Sequence, residues 1–190
     1  MRLYLLLSSI HQKIEQLHDA IGKTLAWLTF FMVLVVCLVV TLRAVFNVGS
    51  IALQESVTYM HALVFMLCLG YTAKEQAHVR VDIFYRRFNA EQKAWVNAIG
   101  GVIFLLPFSL FMVLISWQFV SEAWRVHEGS GDPGGIQAIF LLKSVMPLAG
   151  ILLALQGLAN VLQNILVLTF KENPSDGAAR APVEALKHNN

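Results

Sequence analysis

The chain has 190 residues, 14 of them Lys or Arg and 12 Asp or Glu, for a formal net charge of +2, a 57% hydrophobic share and only 14% charged residues. A soluble domain carries about 25% charged residues spread along its length, whereas here the runs 24–42, 56–73, 94–121 and 144–170 contain none. The pattern excludes a soluble enzyme domain, the small and dispersed positive charge excludes a nucleic-acid surface, and the charge-free runs indicate a membrane protein.

In chain order, residues 1–23 read as an amphipathic helix lying in the membrane interface. Leu3, Leu6, Leu7, Ile10, Ile14, Leu17 and Ile21 recur at helical spacing, and Gln12, Lys13, Glu15, Gln16 and Asp19 fill the opposite face. No small-residue cleavage site precedes His11-Gln12-Lys13, so no cleaved signal peptide is expected. Four transmembrane helices follow, at about 24–46, 51–73, 94–121 and 144–170, each near or above the roughly 20 apolar residues that cross a bilayer core. They make residues 24–170 a four-helix membrane domain. Cys37 and Cys68 lie inside spans, where a thiol behaves as a small hydrophobe. Asn89 followed by Gln92 has the form of a capping box that starts the third helix. The run Gly129-Ser130-Gly131-Asp132-Pro133-Gly134-Gly135 is a turn that no helix tolerates. A short interfacial helix is expected from Ile136 to Lys143, ahead of Pro147, and residues 171–190 are polar and Pro/Ala-rich, as a disordered tail is.

Orientation follows from the basic residues, which are retained on the cytoplasmic side. Arg2, Lys13, Lys23, then Lys74, Arg80, Arg86, Arg87, Lys93, then Lys171, Arg180 and Lys187 fall on one side; Arg43, Arg125 and Lys143 fall on the other. The fold class is therefore an all-α integral membrane protein with four transmembrane helices, an N-terminal interfacial helix and both termini in the cytoplasm.

Coupled transport by one chain requires ionisable groups at bilayer depth, and the charge-free runs offer only His61. A small drug/proton antiporter would place a carboxylate there. A membrane cytochrome would pair two histidines on facing helices to hold haem, but His78 and His127 fall in connections. No metal site, cofactor or catalytic residue is expected, and His61 is expected to be a buried histidine bonded to a neighbouring helix. Milder polarity is patterned: Glu55, Thr58, His61, Phe65, Cys68 and Thr72 share one face of the second span, and Gln156, Asn160, Gln163 and Asn164 one face of the fourth, where Gly150 and Ala154 form a small-residue pair. Such faces meet other helices, either within this chain or on a larger partner. Trp27, Trp95, Trp117 and Trp124 stand near span ends as interfacial anchors do.

The stretch from Gln54-Glu55 through Gly70 to Lys74, followed by His78-Val79-Arg80-Val81-Asp82, resembles the small membrane subunit of the tripartite ATP-independent periplasmic (TRAP) transporters, the DctQ-like family. Leu42-Arg43 before an outer turn, and Gly134-Gly135 leading to Lys143 and Pro147, extend the resemblance from about Asp19 to Val167. Gln54 departs from it, since many members carry a second acidic residue there. The resemblance implies a non-catalytic scaffold subunit in the bacterial inner membrane, part of a sodium-coupled transporter of small organic acids. Its partners would be a large elevator-type permease subunit, a periplasmic substrate-binding protein and membrane lipid, with bound phospholipid filling gaps. Arg43 and Glu55 would pair at the outer turn, and His78, Arg80 and Asp82 would meet the permease or lipid headgroups; on the polar helix faces, His61, Gln156 and Asn160 are candidates for the partner interface, with packing inside this chain the alternative. The competing readings are a membrane-anchoring or electron-transfer subunit of an oxidoreductase complex and a self-assembling small transporter.

Overall fold

A computed structural model describes residues 2–75, 85 and 88–170, all of them in helices or the short connections between helices. Helix α1 runs from Arg2–Phe46 and α2 from Ile51–Lys74. Helix α3, Ala90–Gly100, passes through a π turn, Gly101–Leu105, into α4, Leu106–Arg125, and α5 spans Ile139–Phe170. Among the described residues, four helical stretches are long and apolar enough to cross a membrane: Leu7–Phe46, Ile51–Lys74, Glu91–Arg125 and Ile139–Thr169. The connections 47–50 and 126–138 share one end of the molecule, called the upper end below. Residues 171–190 and the stretch with His78, Arg80 and Asp82 lie outside the described residues.

Helix boundaries follow local chemistry. Asn89 and Gln92 form the capping box in both directions, at 2.8 and 3.1 Å, as their spacing predicts. The Ser50 side chain caps α2 by accepting from the Leu53 amide, after Asn47 has turned the chain at φ 53°. The π turn sits just before Pro107, which has no N–H to give and whose ring crowds the carbonyl one turn back. The Leu106 amide reaches five residues back to Gly101 there, so the wider turn absorbs the proline within a continuous helix.

Two expectations are corrected. The interfacial helix expected over 1–23 is not a separate one: its described residues continue into the first span as one 45-residue helix, about 68 Å long. A lone Gly22 at the junction, without Pro, does not break it. Ile136 to Lys143 is not a short helix of its own either. The last helix starts at Ile139 and carries the buried Pro147 inside it, a position that neighbouring helices make tolerable within a membrane.

Helix α5 is the centre. It packs against α1, α2, α3 and α4, while α2 and α4 have at most marginal contact with each other. Its Ala149 and Ala159 are fully buried, with Leu152, Leu153 and Val161 nearly so. Facing it, α4 buries Ser109, Ser116 and Ala123, one small residue every seven. The serine hydroxyls are satisfied by their own helix, donating to Leu106 O at 2.8 Å and Met112 O at 2.6 Å. Small faces let helix backbones approach closely, which replaces the hydrophobic drive missing in lipid; Ser109 O would lie 3.1 Å from a Cβ placed on Gly150.

Candidate functional site

Two sets of polar ties hold the helices, one toward each end. In the lower half, His18 has no exposed surface. Its Nδ1 lies 2.8 Å from Ile14 O on its own helix and its Nε2 3.2 Å from Leu152 O on α5. Gly70 of α2 closes this junction, because any Cβ there would overlap the imidazole. One residue on, Asp19 pairs with Lys74 at the end of α2, and Lys74 also lies 3.5 Å from Glu75. The sequence produces this junction because His11, Ile14, His18, Ile21 and Leu25 recur at helical spacing and form the inward seam of α1. Ile10 and Leu17 of the apolar stripe face outward, 46% and 44% exposed.

At the upper end, the Glu55 carboxylate accepts from the Ile136 amide at 2.6 Å and from the Ser130 hydroxyl. The loop comes this close only because residue 135 is glycine, since a Cβ would stand 2.7 Å from Glu55 Oε1. Gly134, at φ 84°, makes the preceding turn, where side chains are strained. Lys143 donates to Glu128 Oε1 at 2.7 Å and places its ammonium 3.9 Å from the centre of the Phe119 ring. The Glu128 carbonyl accepts from the Phe140 amide at the start of α5. The Trp124 indole donates to Ser144 Oγ at 2.7 Å and packs edge-on against Phe140.

The candidate residues separate accordingly. Glu55 is tied to the 126–138 connection and not to Arg43, which is exposed at the end of α1, so the expected pair does not form in this chain. His61 is exposed, with its ring stacked on Phe65 one turn away at 6.3 Å, so the expectation of a buried, hydrogen-bonded histidine is corrected. Gln156 has no exposed surface and donates to Asn160 Oδ1 at 3.0 Å, which places it inside the chain and out of a partner's reach. The polar face of α2 thus points outward at Thr58, His61 and Phe65, whereas that of α5 begins in the core. His18 was missed by sequence reasoning; its signal was its place four residues after Ile14 and seven before Leu25.

Among the described residues, no group of three or more His, Cys, Asp or Glu side chains is placed to hold a metal ion. The ties above bind helices to helices, and nothing in their arrangement assembles a nucleophile with a base. No curated protein matches the chain. The family described as tripartite ATP-independent periplasmic transporters, DctQ component, matches residues 32–167. That stretch takes in the upper part of α1 and all of α2 to α4, the Glu55 latch and nearly all of α5, so the chain belongs to the DctQ family and is a small membrane subunit of a TRAP transporter, a multi-pass inner-membrane protein.

Proposed function

We propose that this chain is a non-catalytic brace for the large permease subunit of a sodium-coupled TRAP transporter of small organic acids, and that it adds periplasmic surface on which the substrate-binding protein docks. The family match carries this reading. The distribution of polarity supports it, because groups able to carry a proton or cation across the bilayer would have to stand at depth, and coupling chemistry is then left to the permease. The upper end, with the Glu55 latch, faces the periplasm in this reading and the termini face the cytoplasm, following the asymmetry of basic residues. Arg43, His61, Asn160 and, outside the described residues, His78, Arg80 and Asp82 are the proposed contacts with permease or lipid. Affinity purification of the tagged chain from gently solubilised native membranes tests the assignment. A large multi-span permease should co-purify; an oxidoreductase with haem absorbance, or copies of this chain alone, would refute it.

A further inference from the structure

One face of the molecule combines two features. The first is a groove of 380 Å³ between α2 and α4, floored by Leu153 of α5 and walled by Phe65, Met66 and Leu69 on one side and Leu105 and Phe108 on the other. It exists because α2 and α4 both lie on α5 without closing on each other. Leu153 is 4% exposed at its base, while Phe65 and Phe108 stand 61% and 56% exposed at its walls. The second is His61, one turn above Phe65. At 1.5 Å per residue it lies about 15 Å from Ile51 and about 20 Å from Lys74, near the middle of α2.

We propose that this face seats a transmembrane helix of the large permease subunit, with a hydrogen-bonding side chain of that helix opposite His61; the inference rests on the scaffold reading above. A polar ring at mid-membrane depth faces a partner or a water-filled cavity, since lipid tails cannot satisfy it. Among the described residues His61 has a ring contact with Phe65 and no hydrogen bond or ion pair. An acyl chain lying in the groove offers the imidazole neither donor nor acceptor. A helix bearing Ser, Thr, Asn, Gln or a carboxylate offers both that bond and the apolar side chains that fill a groove flanked by two helices.

The test uses the whole complex in native membranes. A photo-crosslinking benzoylphenylalanine is placed at position 61 and, in a second variant, at Phe31, which is exposed on α1 away from the groove. In parallel, His61→Leu and His61→Gln are compared for retained permease. The expected results are a permease adduct from position 61, about three-fold weaker association for His61→Leu, the value of one interhelical hydrogen bond in a membrane, and near-normal association for His61→Gln. Lipid or self adducts alone from position 61, or no adduct there while permease co-purifies, would overturn the proposal and leave the scaffold reading standing. Full retention by His61→Leu would also overturn it. If no permease co-purifies with any variant, the scaffold reading itself fails.

Discussion

Gly70→Ala measures how closely α1, α2 and α5 approach. In a helix interior, replacing Gly with Ala normally stabilises by about 1 kcal/mol. Here the added methyl would overlap the His18 ring and come within 3.4 Å of Leu152 O. The ring has nowhere to go: it is fully buried and its nitrogens face Ile14 O and Leu152 O. Overpacking of this kind costs about 1–3 kcal/mol, so Gly70→Ala is expected to destabilise by roughly 0–2 kcal/mol after the helix-propensity gain. The decisive quantity is the coupling with His18→Ala. With the imidazole removed, the methyl enters vacated space and the propensity gain stands alone, so Gly70→Ala should change sign and become stabilising. The cycle predicts a coupling of about 1–3 kcal/mol. Thermal denaturation of the four purified proteins in one detergent reads it, at about 2–4 °C per kcal/mol for a chain of this size. Additive effects within about 0.5 kcal/mol would refute the close approach of His18 and Gly70.

Glu55→Gln keeps one acceptor oxygen and loses the charge that strengthens both loop bonds. Bonds to charged groups are worth about 1.5–3 kcal/mol each and neutral ones about 0.5–1.5 kcal/mol, so a loss of about 1–2 kcal/mol should accelerate amide exchange at Ile136 by roughly 5–30-fold; unchanged protection would show that the carboxylate does not hold the loop. Lys143→Met, which removes a side chain only 18% exposed along with its Glu128 and Phe119 contacts, should lower stability by about 1 kcal/mol. Arg125→Met, where the pair with Glu122 is 74% and 56% exposed, should stay within about 0.5 kcal/mol; equal losses in the two thermal melts would contradict this ranking by burial. For orientation, a cysteine at Gly131, in a background lacking Cys37 and Cys68, should react with an impermeant maleimide in intact spheroplasts, and one at Glu91 only after lysis. The reverse pattern would invert the topology.

Much of the fold was legible because a membrane imposes a simple rule: each span must be apolar for its whole length and must satisfy its backbone internally. Charge-free runs therefore located the four spans, and the Asn89-Gln92 spacing located a helix start that is a purely local event. What was not legible depends on neighbours. Pro147 reads as a helix boundary, yet it lies buried in α5. The partner of Glu55 could not be read from spacing either, since Arg43 is nearer in sequence and offers opposite charge, while the actual donors, Ser130 and the Ile136 amide, are brought in by a glycine loop far along the chain. Hydrophobic periodicity could not give the inward face of α1 either. In water the apolar stripe faces the core, but lipid is as apolar as Leu and does not enforce that choice, so Ile10 and Leu17 point out and His18 points in.

The same inversion explains where this protein places its polar groups. Mid-helix contact along α4 and α5 is made by Ser109, Ser116, Ala149 and Gly150, residues chosen for closeness and carrying no charge. The ion pairs and carboxylate bonds stand toward the ends: Asp19 with Lys74 below, Glu55 with the loop and Glu128 with Lys143 above. Charges near the water are not stripped of solvent entirely, so each tie keeps part of its Coulomb gain without the full cost of burying an ion. Small-residue contacts between those ties fix helix spacing without any group that must change protonation or partner during a transport cycle. A helix set joined in this way suits the proposed role of a stationary part against which a permease moves.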